Sequence, residues 1–178
     1  MAAKAQARGV ACSRRTAGRA GRRAAKLATR AVSEPSATNT VLTDDSSRKF
    51  SFIVANANFM LNDENSEHFP ELLRERRRHY LETDEPINFW VVEQPAFVDS
   101  LGEVSGRIGR PCVAVVSTDD VFITFLKLRM DRVLKGELEG KPSEVLKSDG
   151  EIEPFPQPAS WTAPYAKYGH GWWHVFRP

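Results

Sequence analysis

The run Cys112-Val-Ala-Val-Val116 constrains this chain more than any other stretch. Side chains alternate between the two faces of a strand, so an unbroken apolar run needs cover on both faces. A central strand meets that need. Ile87-Asn-Phe-Trp-Val-Val92 makes the same demand: Ile87, Phe89 and Val91 fall on one face, Trp90 and Val92 on the other. Asn88 opens the second face and is out of place there. Phe50-Ser-Phe-Ile-Val-Ala55 reads as a further strand. Three strands are legible, and the last two along the chain need cover on both faces.

Two amphipathic helices accompany them. Ser117 to Gly136 reads as a strand end, an N-cap, a four-turn helix and a glycine stop. Ser117 and Asp120 have capping-box spacing. Lys127, Arg132 and Lys135 lie toward the end where the helix dipole favours cations. Phe122, Phe125, Leu126 and Val133 follow the spacing of one buried face, and the slot between them holds Arg129. A guanidinium on an apolar stripe needs water, a carboxylate or another protein. Arg129 therefore either snorkels from the core or anchors a binding surface. The other helix has Ser66 as its N-cap, Pro70 early, and Phe69, Leu72, Leu73 and Tyr80 as its buried stripe, with Arg76 in the same odd slot. Arg74, Arg77 and Arg78 interleave with Glu71, Glu75 and Glu82 at three- and four-residue spacing. That run reads as a self-paired solvated face; a phosphate- or partner-binding patch is the alternative.

The first 33 residues differ from the rest. They carry nine cations (Lys4, Arg8, Arg14, Arg15, Arg19, Arg22, Arg23, Lys26 and Arg30) and no carboxylate before Glu34. Alanine, serine and threonine fill most gaps, which is the composition of an organellar transit peptide rather than a nucleic-acid-binding arm. Without those nine cations, 16 basic residues face 23 acidic ones, a net charge of −7 for residues 34–178. Such a protein is a poor general binder of nucleic acid. Residues 34–48 are polar and turn-rich and read as a linker. From Glu139 onward, prolines punctuate a tail holding Phe155, Trp161, Tyr165, Tyr168, Trp172, Trp173 and Phe176. So many aromatics imply that the tail drapes over the domain or a partner.

Reactive chemistry is hard to find. Cys12 lies in the leader, and Cys112 alone cannot form an internal disulfide; inside its apolar run it reads as a small core residue. His68, His79, His170 and His174 form no Glu-x-x-His or His-Glu-x-x-His pattern, and Cys-x-x-Cys and Gly-x-Ser-x-Gly are absent. His170 and His174 have a helical metal-binding spacing, but Gly169 and Gly171 argue against a helix there. Gly102, Gly106 and Gly109 interrupt a weak helix that begins at Pro95 and do not form a phosphate loop. No catalytic residue, metal site or cofactor is expected, and a binding module is favoured over an enzyme.

Several blocks occur in a telling order: Val54-Ala55, Leu73-Arg-Glu-Arg-Arg-Arg-His-Tyr80, Ile87-Asn-Phe-Trp90, Gln94-Pro-Ala-Phe97, Ala114-Val-Val-Ser-Thr118, Phe122-Ile-Thr-Phe-Leu-Lys-Leu-Arg129 and Val133-Leu-Lys-Gly-Glu137. From about Lys49 to Leu138 the chain resembles the family named for hypothetical chloroplast reading frame fifty-four, called Low Chlorophyll Accumulation A in plants. The resemblance implies an α/β fold, an α+β sandwich with a small sheet of about four strands flanked by helices, here over residues 49–140; residues 141–178, the Pro- and aromatic-rich tail, lie outside the match and are not assigned by it. It implies a chloroplast protein, in the stroma or membrane-associated. It also implies an accessory subunit or assembly factor of the aerobic magnesium-protoporphyrin IX monomethyl ester cyclase of chlorophyll biosynthesis. The expected partner is the di-iron oxygenase subunit of that cyclase, with other chlorophyll-biosynthesis enzymes as further candidates. No transmembrane segment is expected; membrane contact would be peripheral, through the partner. The family's partner-binding positions fall on Ala55, Asn88, Phe89 and Arg129. Asn88 departs from the family's aspartate: it keeps the shape without the charge. A reading of another class is a tetrapyrrole-binding carrier or enzyme using the tail aromatics with His170 or His174. A third is a basic-patch module acting through Arg74–Arg78.

Overall fold

The computed structural model describes residues 45–62, 68–156 and 168–178. The leader, most of the 34–48 linker and Ser66 lie outside the described residues. Four strands, β1 (Arg48–Asn56), β2 (Phe89–Glu93), β3 (Cys112–Ser117) and β4 (Leu134–Gly140), form one sheet in the order β2-β3-β1-β4. Every pairing is antiparallel, with Ile53 opposite Val115 and Val91 opposite Val115 on its other side. Helices α1 (Ala57–Asn62), α2 (Phe69–Thr83), α3 (Ser105–Ile108), α4 (Asp120–Arg129) and α5 (Pro142–Val145) flank it, with two 3-10 helices, Ala96–Val104 and Trp172–Phe176. This is the expected α+β sandwich.

The apolar runs dictate two cores. On one face Ile53, Phe89, Val91, Val113 and Val115 pack beneath α1, α2, α4 and the final 3-10 helix. On the other, Phe50, Phe52, Trp90, Ala114 and Val116 meet Val98, Ile108 and Val145. β3 is buried at all six positions, as a strand covered on both faces must be. Cys112 is fully buried, and burial pushes its thiol up, which leaves it a small core residue.

The stretch after Arg129 corrects the expected four-turn helix. The helix α4 ends at Arg129, Met130 is extended, and Arg132 takes a left-handed φ of 55° that turns the chain into β4. Gly136 is not a helix stop but lies opposite Phe52 in the sheet. A Cβ there would fall 2.5 Å from the tip of the Phe52 ring, so only glycine lets that ring lie against β4. The cap also differs. Asp119, not Ser117, caps α4, its Oδ1 accepting from Val121 N at 2.9 Å and Phe122 N at 3.2 Å. Ser117 Oγ instead donates to the Asn88 carbonyl at 2.9 Å.

The tail enters the core. Trp172, Trp173 and Phe176 are buried beside Phe69 and Phe89. Glu93, 3% exposed at the end of β2, binds the tail through one carboxylate. Its Oε1 accepts from Trp173 Nε1 at 2.7 Å and from Arg177 Nε and Nη2 at 2.8 and 2.6 Å, and its Oε2 from Ile152 N at 2.8 Å. Burial raises the pKa of this carboxylate, but those donors outweigh burial and hold it below its ordinary value.

Candidate partner-binding surface

Helix α4 is apolar on two sides. Its inner stripe is Phe122, Ile123 and Leu126, continued by Met130 just past its end. The outer side carries Val121, Phe125 and Leu128, which are 77%, 38% and 81% exposed. These three stand at i, i+4 and i+7, one row of a helix. The inward stripe is thus rotated from the expected one. Phe125 and Arg129 face out, and Arg129 does not interrupt the core. Its guanidinium carbon lies 4.7 Å from the Phe125 ring centroid, a cation–π contact. Among the described residues Arg129 has no carboxylate partner.

A groove of about 490 Å³ runs between α2 and the start of α4, with Leu72, His79, Val121, Phe122 and Phe125 in its lining. One network braces it. Arg76 Nη2 donates to Asp119 Oδ2 and to the Tyr80 hydroxyl, both at 2.7 Å, and Tyr80 Oη donates to Asn88 Oδ1 at 2.7 Å. The Arg76 guanidinium also lies over the Tyr80 and Phe122 rings, 4.8 and 5.0 Å from their centroids. Asp119 therefore caps α4 with one oxygen and ties it to α2 with the other. The odd basic slot of α2 is explained: Arg76 holds two helices together.

The four positions singled out by resemblance are placed as follows. Asn88 lies just before β2, half-buried, with its amide oxygen on Tyr80, on the α2 side of the sheet rather than opening the opposite face. Phe89 is fully buried between the rings of Phe122 and Phe176, at 5.2 and 5.8 Å. It offers no surface and acts on α4 only through Phe122. Arg129 is exposed at the far end of α4, about 15 Å of helix from the Asp119 cap. Ala55 lies elsewhere, near the end of β1, in the lining of a separate cleft. The network joins Asn88 to the start of α4, the Phe122 ring joins Phe89 to its underside, and Ala55 stands apart. Residue spacing alone missed Val121 and Leu128. Their i, i+7 relation to each other, with Phe125 between, was a second stripe waiting to be counted.

The arginine run on α2 is engaged within the domain. Arg78 pairs with Glu75 at 2.6 Å and Glu82 at 3.5 Å, Arg74 lies 4.4 Å over the Tyr168 ring, and Arg77 is buried. Among the described residues, no three His, Cys, Asp or Glu side chains form a metal-holding group, and no helix is long and apolar enough to cross a membrane.

A family model described as Ycf54 protein matches residues 48–140. The chain belongs to the Ycf54 family. Among curated relatives, the Arabidopsis thaliana "Protein YCF54, chloroplastic" is 46% identical over 133 residues, 74% of this chain and 62% of the relative. The chain thus spans less than two thirds of that protein's length. The Synechocystis "Ycf54-like protein" is 41% identical over 97 residues, 53% of this chain and 70% of the relative. Solved Ycf54 structures share the fold. That from Thermosynechococcus elongatus is 33% identical with a TM-score of 0.53, over 60% of this chain and all of the other. That from Synechocystis is 34% identical with a TM-score of 0.52, over 61% of this chain and all of the other. The chloroplast name of the Arabidopsis relative agrees with the basic leader, and the protein is assigned to the chloroplast.

Proposed function

We propose that this chain is a non-catalytic accessory subunit of the aerobic magnesium-protoporphyrin IX monomethyl ester cyclase, binding and stabilising its di-iron oxygenase subunit in the chloroplast. The identity of the enzyme comes from the family resemblance. The observation that carries a binding role is the outer face of α4. It leaves Val121, Phe125 and Leu128 in solvent beside an arginine that no carboxylate among the described residues answers. Apolar residues exposed singly are ordinary, but a continuous row with an adjoining groove marks an interaction site. A large aromatic stacked with arginine is the composition of interface hot spots. Asn88 and Phe89 contribute from beneath, by fixing the start of α4 and its underside. Residues 1–33 act as the transit peptide and 34–48 as a linker, with 49–140 as the accessory domain and 141–178 as a tail.

The carrier reading loses support from the tail. Trp172, Trp173 and Phe176 already fill the core, and the His170 ring stands edge-on to Trp173 at 4.9 Å. The test is capture of the di-iron subunit from greening plastids by the tagged chain. The parent retains it; Val121→Asp combined with Leu128→Asp loses it while its unfolding transition stays where it was. Equal capture by that variant would remove α4 from the interface, and no capture by the parent would remove the partner.

A further inference from the structure

A second concave site lies away from α4, at the far end of the sheet. The β1–β4 ladder stops at Val54 opposite Leu134, while β1 continues to Ala55 and Asn56, which pair with β3 alone. Beside this unmatched edge opens a cleft of about 560 Å³. That is the size of a small-molecule site. Its apolar lining is Val54, Ala55, Phe59, Ile108, Val133 and Leu134. Its polar lining is Asn56, Asn58, Arg107 and Arg132, with no carboxylate among them. Arg107 comes from α3 and Arg132 from the turn before β4, so two separate elements bring guanidiniums to one cleft. Neither makes an ion pair among the described residues, although residues 34–178 carry seven more acidic than basic side chains. Arg132 is also held at a φ of 55°, a conformation a non-glycine residue rarely takes.

We propose that this cleft binds an amphipathic carboxylate, its acid group on Arg107 and Arg132 and its apolar body along Val54, Phe59 and Val133. Guanidinium pairs recognise carboxylates through charge-assisted hydrogen bonds, and the floor accepts hydrocarbon rather than water. The site stands apart from the α4 docking face and does not depend on it.

Fluorescence titration of the full chain with 1-pyrenebutyrate, and with the neutral 1-pyrenebutanol, tests the proposal. The acid binds saturably at one site, and the alcohol binds about tenfold more weakly or worse. Arg107→Gln combined with Arg132→Asn, which tolerates the left-handed backbone, weakens the acid by at least about tenfold with an unchanged unfolding midpoint. Arg129→Ala, outside the cleft, leaves acid binding as it was. Displacement by dodecanoate shows that a flexible acyl body fits; failure to displace shows that the floor takes a flat ring; either keeps the carboxylate. The proposal is overturned by non-saturable binding, by equal affinity for acid and alcohol, by parental affinity in the double arginine variant, or by displacement of the probe by inorganic phosphate at the probe's own concentration.

Discussion

Arg177 and Arg129 are both arginines beside aromatic rings, yet they do opposite work. Arg177 closes on Glu93, buried at the end of β2, with Trp173 and the Ile152 amide on the same carboxylate. Arg129 lies on Phe125 in solvent, with no carboxylate among the described residues and Leu128 bare beside it. The first group is satisfied internally, so it stabilises the fold. The second has its aromatic and apolar surface assembled but its charge unanswered, so it is available to another molecule. Side-chain type does not separate the two; the supply of partners within the chain does.

The strongest way to break that contrast is to cut the tail's anchor. Trp173→Ala removes a fully buried ring and costs about 3–5 kcal/mol in denaturant unfolding. A loss below about 1 kcal/mol would mean that the tail is not part of the core. Glu93→Gln is gentler, at about 1–3 kcal/mol, because one oxygen still accepts. It also carries a pH signature. The folded carboxyl has a pKa below its ordinary 4.5, so the unfolded chain binds more protons just under that pH. Glu93 thus contributes stability in full above about pH 4.5 and loses it as the pH falls through the folded value. Unfolding midpoints of the parent and Glu93→Gln should therefore converge on acidification. Parallel curves would show that this carboxylate is not the anchor. Smallest in stability, and sharpest for the comparison, is Arg129→Ala. It should shift unfolding by no more than about 0.5 kcal/mol yet weaken capture of the proposed oxygenase partner by about 2 kcal/mol, the scale of an interface hot spot. Destabilisation equal to that of Glu93→Gln would place Arg129 in the fold rather than on the docking face.

Much of the architecture is legible in the chain. The run from Cys112 to Val116 requires cover on both faces, and β3 has it. The bulk on both sides of Phe89–Val92 likewise places β2 inside two layers. The beginning of α4 is a local matter of capping and was legible to within two residues, whereas its end was not: the expected stop at Gly136 lies seven residues beyond Arg129, where the helix ends. The fourth strand was not visible. Leu134-Lys-Gly-Glu-Leu-Glu-Gly140 has glycine where a helix could stop, and its strand character exists only because β1 offers an open edge and the Phe52 ring fits over Gly136. The site was half visible. Arg129 stood out by its neighbours, but a stripe drawn through Phe125 put it in the core, when α4 is apolar on two sides and only the sheet below decides which side is inward.

By itself the sequence determined which segments must be covered, since apolar side chains carry that requirement wherever they go: β1, β2, β3 and one side of α4. It also determined the family, through blocks kept in register. Only the tertiary structure decided what does the covering. The tail enters the core because Glu93 and the Phe89 ring lie where Trp173, Arg177 and Phe176 can reach them. Val121, Phe125 and Leu128 remain outside because no further segment among the described residues comes to meet them. Burial is a property of pairs of surfaces, and a linear chain names only one member of each pair.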